Sequence, residues 1–222
     1  GDSVTNGVRS AGLVIVGSVT SCTISGNYLD NAYIEWTNEQ DAAPNYLNGF
    51  SFSSMAITDN IFLSGDVAPW FSYIVVKPYG TGHFLNGVAI TGNKFRSING
   101  SIDRAERVDA SFADLNRNRS KNVAFEANTF HNVSAVVSNP LRVRHEQATA
   151  AAVWNVTTNG LLPFQGYTRN VDSVLPIGAL TDTGGTTRYI APYAAVLEGT
   201  NFDLIKLSWG QAVKGEANVI IR

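Results

Sequence analysis

VAITGNKF, residues 88–95, places an apolar residue at every second position and then breaks at Gly92-Asn93. Alternation of this kind marks a strand with two unlike faces, and Gly-Asn supplies the conformational freedom for a sharp bend. The same word recurs along the chain. SCTISGNYL (21–29), SMAITDNIF (54–62), GVAITGNKF (87–95) and VAFEANTF (123–130) share the strand, the Asn and a large apolar or aromatic residue after it. The asparagines are Asn27, Asn60, Asn93 and Asn128, at steps of 33, 33 and 35 residues. A unit this short cannot bury its apolar face alone, so successive units must stack into parallel sheets along one axis. Stacking sets Asn above Asn, and a column of amides that donates and accepts satisfies corner backbone that would otherwise be buried without partners.

Composition supports a folded chain and narrows its partners. Of 222 residues 44% are hydrophobic, enough for a sizeable core. Net charge is −2 with 15% charged residues, and the densest basic stretch is the scattered RNRSK at 117–121, so duplex nucleic acid is not an expected partner. The longest apolar run, near Ala11–Val16, is far shorter than a membrane-spanning helix, and membrane insertion is not expected. Cys22 is the sole cysteine, which excludes an internal disulfide framework. His83, His131 and His145 show no metal-ligand spacing, and neither a metal nor a cofactor is expected. The first residues, Gly1-Asp2, lie inside what reads as a repeat, so the sequence is expected to be a piece of a longer protein.

The repeated word resembles the coils of the right-handed parallel β-helix of pectate-lyase-like proteins, over roughly residues 10–157. The resemblance implies an all-β fold, with coils of about 33 residues whose excess length is spent on loops at 38–48, 77–86 and 103–122. Beyond Asn159 the Asn word disappears. Pro163, Pro176, Pro192 and the turn Asp182-Thr183-Gly184-Gly185 interrupt short alternating runs such as FDLIKLSW (202–209) and ANVIIR (217–222). We therefore expect a parallel β-helix over 1–159 and a small C-terminal antiparallel β-sandwich module over 160–222, which caps the solenoid's open end.

A β-helix followed by a compact β module is similar to the layout of phage tailspikes and of the head spikes of gene transfer agents. That resemblance implies a homotrimeric virion spike or tail appendage, on the virion surface or extracellular, that binds a bacterial surface polysaccharide such as capsule. Leu204, Ile205, Leu207, Val219, Ile220 and Ile221 would hold three chains together or form the module's own core. The alternative function is a polysaccharide-degrading enzyme, a glycosidase or lyase of the pectate-lyase-like type.

Candidate site residues come from aligning the strand after each Asn corner. YIEW (33–36), YIVV (73–76), SIDR (101–104) and AVVS (135–138) fall together, with Ile34, Ile74, Ile102 and Val136 inward and Tyr33, Glu35, Tyr73, Val75 and Asp103 outward. Glu35 and Asp103 would then stand two coils apart, about 9–10 Å at the ordinary strand spacing. This is near the carboxylate separation of inverting glycosidases and makes the two residues catalytic candidates. Polar outward positions on a solvated sheet explain the same pair. Tyr33, Trp36, Trp70, Tyr73 and Tyr79 offer aromatic faces on which sugar rings stack, and Arg104 with Arg107 could clamp a saccharide carboxylate. Core packing competes for the aromatics, and a short helix burying Ala105, Val108 and Phe112 competes for the charges of 103–122.

Overall fold

In the computed structural model, residues 11–16, 21–39 and 49–222 are described, so most of the first expected loop, 38–48, lies outside the described residues. The chain forms two compact units, 1–137 and 138–222. In the first, strands β1 (Ala11–Val16), β2 (Cys22–Ser25), β3 (Tyr28–Asp30), β4 (Tyr33–Thr37), β5 (Ser51–Thr58), β6 (Ile61–Gly65), β7 (Ile74–Lys77), β8 (Phe84–Thr91), β9 (Lys94–Ile98), β10 (Glu106–Val108), β11 (Lys121–Glu126) and β12 (Thr129–His131) follow one another. They sort into three parallel sheets of order β1-β4-β7-β10, β11-β8-β5-β2 and β12-β9-β6-β3. Each coil contributes one strand to each sheet, which is a parallel β-solenoid of about three turns.

The Asn column holds one corner of every coil. Asn27 donates from its backbone N and its Nδ2 to Asn60 Oδ1, both at 3.0 Å. Asn60 does the same to Asn93 Oδ1, again at 3.0 Å, and Asn93 to Asn128 Oδ1 at 2.9 and 3.1 Å. Each inner amide also closes back on the coil before it: Asn60 Nδ2 donates to the Ile24 carbonyl and Asn93 Nδ2 to that of Ile57. The left-handed conformation itself falls one residue earlier, on Gly26, Asp59, Gly92 and Ala127, with φ of 68°, 56°, 70° and 57°. At Gly92 a Cβ would press on the Asp59 carboxylate, so any other residue there would have to displace that side chain. A second corner repeats the device with Asn31, Asp66, Asn99 and Asn132, all at positive φ.

Inside, like residues stack. Ile24, Ile57, Ile90 and Phe125 share one register, and Leu29, Phe62, Phe95 and Phe130 another. Phe95 lies parallel to Phe62 at 5.0 Å between centroids and to Phe130 at 5.7 Å. Phe62 and Phe95 are buried and Phe130 is partly so, so the solenoid's stability rests on continuous apolar columns as well as on the amide column.

The solenoid ends earlier than the sequence suggests. Residues 138–222 carry β13 (Leu141–Thr157), β14 (Val171–Asp182), β15 (Thr187–Arg188), β16 (Tyr193–Glu198) and β17 (Leu204–Ile221) in one antiparallel sheet. β13, expected as the last strand of the helix, instead pairs antiparallel with β17 from Leu141↔Ile221 to Thr157↔Leu204. The boundary therefore falls after Val137 and not at 159. The 18-residue β17 serves both halves of this unit: β16 flanks its first part and β14 its second, with β13 alongside both. Trp154, Val156, Ile205, Leu207, Trp209, Val213, Val219 and Ile221 form its core. Ile205, Leu207, Val219 and Ile221, four of the six residues considered for holding chains together, are thus inside their own unit.

Candidate functional site

Most of the candidate residues belong to sheet β1-β4-β7-β10 or to the corners beside it. Ile34 pairs with Ile74, Glu35 with Val75 and Trp36 with Val76, as the alignment of YIEW with YIVV requires. The next strand differs from expectation. Sheet pairing continues through Glu106↔Ile74, Arg107↔Val75 and Val108↔Val76, so ERV takes the place assigned to SIDR. The reason is corner length. The inward Ile follows the column Asn by seven residues in the first coil, Asn27 to Ile34, but by fourteen in the second, Asn60 to Ile74, because 66–73 form a wide corner. The third coil has a similar insertion at 99–105, which leaves Ile102 in an isolated bridge with Val133. AVVS forms no strand, and Val136 is 56% exposed where an inward position was expected.

Asp103 consequently lies on a corner, where its backbone N donates to the Pro69 carbonyl, and not in Glu35's column. The residue two strands from Glu35 is Arg107. Glu35 and Asp103 therefore do not share a column two coils apart. The segment 109–120 is irregular and contains no helix; Phe112 is 56% exposed, against an expected buried side.

Three other expectations change. Tyr73 is fully buried, because the wide corner turns it into the space between sheets against Phe62, Phe71 and Phe95, where its hydroxyl donates to the Arg96 carbonyl at 2.5 Å. Burial pushes its phenol up to about 12. Trp36 is buried at inward register, edge-on to Phe52 at 5.2 Å. Arg104 does not face outward beside Arg107 as a clamp. It holds the buried Glu106 with two bonds, Nε to Oε2 at 3.1 Å and Nη2 to Oε1 at 2.6 Å.

What remains outward is only partly exposed: Tyr33, Glu35 and Arg107 are half-buried, and Val75 between Glu35 and Arg107, expected outward, is covered. Tyr33 and Glu35 project from β4, the phenol 3.5 Å from Glu35 Oε2. Burial and the Glu35 charge raise the Tyr33 pKa, while Arg107 opposes that rise. Arg107 lies against the half-exposed Trp70, its guanidinium carbon 5.8 Å from the ring centroid. Lys77 sits over Phe112 at 5.2 Å, and Phe112 packs on Tyr79 at 4.7 Å. Asp109 stands near both cations. Its partial burial works to raise its pKa, but a bond from the Ser111 amide and the charges of Arg107 and Lys77 bring it below the usual carboxylate value.

Tyr79 is fixed by a polar cluster that the sequence reading missed. Asn38 Oδ1 accepts from the Tyr79 amide at 2.7 Å, and Asn38 Nδ2 donates to the Tyr79 carbonyl at 2.8 Å. The buried His83 accepts the Phe50 amide on Nδ1 at 2.8 Å, which leaves Nε2 to donate to the same Tyr79 carbonyl. Neither residue belongs to the repeated word, so no periodic signal marked them.

Among the described residues no cluster of three or more His, Cys, Asp or Glu could hold a metal, and no helix is long and apolar enough to cross a membrane. The C-terminal unit carries an open groove of about 560 Å³, lined by residues including Pro176, Leu180, Arg188 and Tyr189, that shares no residue with the face above. No protein-family model matches the chain, and neither the curated proteins nor the solved structures give a match.

Proposed function

We propose that this chain is a saccharide-binding segment of a spike, a virion or tail appendage resembling phage tailspikes and gene transfer agent head spikes. It docks bacterial surface polysaccharide on the outer face of β1-β4-β7-β10 without cleaving it. The observation that carries the reading is Trp70, 50% exposed with Arg107 against its ring, on the corner that leads into β7, the strand that pairs with β4 and its Tyr33 and Glu35. An exposed aromatic face receives the apolar side of a sugar ring, and neighbouring carboxylates and hydroxyls bind its hydroxyl groups. A solenoid suits this task because its strands repeat at about 4.8 Å, giving an extended surface of regularly spaced side chains.

The proposal includes a homotrimer on the virion surface or outside the cell, in which three modest sites give avidity. With its core accounted for, the C-terminal unit offers exposed Leu175, Ile177 and Tyr193 for assembly. Light scattering checks this: a monomer at working concentrations removes the trimer from the proposal.

The direct test is Trp70→Ala. We expect roughly tenfold weaker binding to capsular polysaccharide, with the thermal transition unchanged because the ring is half in water. Unaltered binding refutes the assignment of the face. New reducing ends or unsaturated products on incubation with capsule would replace this reading by the enzymatic one.

A further inference from the structure

Among the described residues Arg107 makes no ion pair, and its Nε is buried with no hydrogen-bond partner. Arg104, three residues earlier, shows the contrast, since both of its bonded nitrogens are met by Glu106. Trp70 answers Arg107's charge through its ring but accepts none of its N–H groups as an oxygen would. Asp109 is close enough for Arg107 to lower its pKa, yet its Oδ1 accepts the Ser111 amide and no ion pair forms. A guanidinium partly withdrawn from water and without an ion-pair partner is costly in the free protein, and an incoming carboxylate offsets part of that cost. The planar fork fits a carboxylate with two parallel bonds.

We infer that the face takes an acidic saccharide, with the carboxylate of a uronic or other sugar acid on Arg107 and its ring against Trp70. The inference rests on the reading of this face as saccharide-binding. Glu35 does not oppose it at close range: it shares Arg107's column but lies on the far side of Val75, two strands or about 9–10 Å away. Lys77 offsets Asp109 on the other flank.

The test uses a panel of acidic capsular polysaccharides, each paired with its carboxyl-reduced form, in titrations against the full chain. The acidic member of at least one pair is expected to bind at least about tenfold more tightly, with an affinity that falls as salt rises. Arg107→Gln should bring the acidic form down to the affinity of its reduced partner. Should Arg107→Gln unfold the coil, Arg107→Lys keeps the aliphatic stem and the charge without the fork, and is expected to lose most of the preference. Equal binding of both members of every pair that binds, or a preference that survives both substitutions, overturns the inference alone. If the parent protein binds neither form of any pair, the saccharide reading falls and this inference falls with it.

Discussion

Replacing Asn93 by Ala removes the centre of the amide column, and the loss can be worked bond by bond. The side chain accepts the Asn60 amide and the Asn60 Nδ2 on Oδ1, and donates through Nδ2 to Asn128 Oδ1, the Ile57 carbonyl and the Thr91 carbonyl. Asn60 and Asn93 are both fully buried, so water cannot replace these partners. Two stranded donors on Asn60 and the unmet Ile57 carbonyl, at about 1–3 kcal/mol each with partial relaxation, give about 3–5 kcal/mol. Asn27 provides the internal control. It is solvent-exposed and donates along the column, with no bond accepted on its own Oδ1 among the described residues, so Asn27→Ala should cost about 1 kcal/mol or less. Urea unfolding followed by circular dichroism reads the difference, and native-state hydrogen exchange localises it, because the Asn60 amide should lose protection in Asn93→Ala alone. Equal costs at the two positions, or an Asn60 amide that stays protected, would refute the claim that the column is cooperative and internal.

Two further outcomes follow from the buried polar groups. The Tyr73 phenol is pushed up to about 12 from 10, so the folded chain keeps a proton that the unfolded chain loses between these values. Tyr73's contribution is whole below pH 10 and falls by about 1.4 kcal/mol per pH unit up to pH 12, roughly 2–3 kcal/mol in all. Tyr73→Phe should therefore show a shallower alkaline decline in urea midpoint, and parallel slopes would contradict the burial argument. Glu106→Ala leaves the Arg104 guanidinium without its carboxylate beside a buried site, an expected loss of about 3–5 kcal/mol, whereas Glu106→Gln keeps an acceptor and should lose less. A neutral Glu106→Ala in thermal unfolding would contradict the structural role given to this pair.

The solenoid was legible because its physics is periodic. Each coil repeats the demand for an inward Ile or Phe, a left-handed corner and an Asn amide, and repetition survives in the sequence as a spelling. The second corner was equally periodic, at Asn31, Asp66, Asn99 and Asn132, but one Asp among three Asn and no flanking apolar word concealed it. β13 was misplaced for the opposite reason. RVRHEQATAAAVW alternates as any half-buried strand does, and alternation does not say whether the partner runs parallel or antiparallel.

Residues of the candidate face were legible only where the coils are uniform. Tyr33 and Glu35 follow a two-residue corner, so their outward parity could be counted from Asn27. Tyr73 and Asp103 lie within wide corners and Arg107 follows one, and there each added residue resets which side of the sheet a side chain takes. Glu106 shows how completely parity can be overruled. It occupies the register of Ile34 and Ile74, and a carboxylate is held at that inward position by Arg104 reaching to it from the corner. The same corner that buries Glu106 turns its neighbour Arg107 outward against Trp70. An insertion in the third coil thus consumes one arginine to neutralise the interior and presents the other to solvent, which is how a loop length, invisible to the repeat, decides the chemistry of the face.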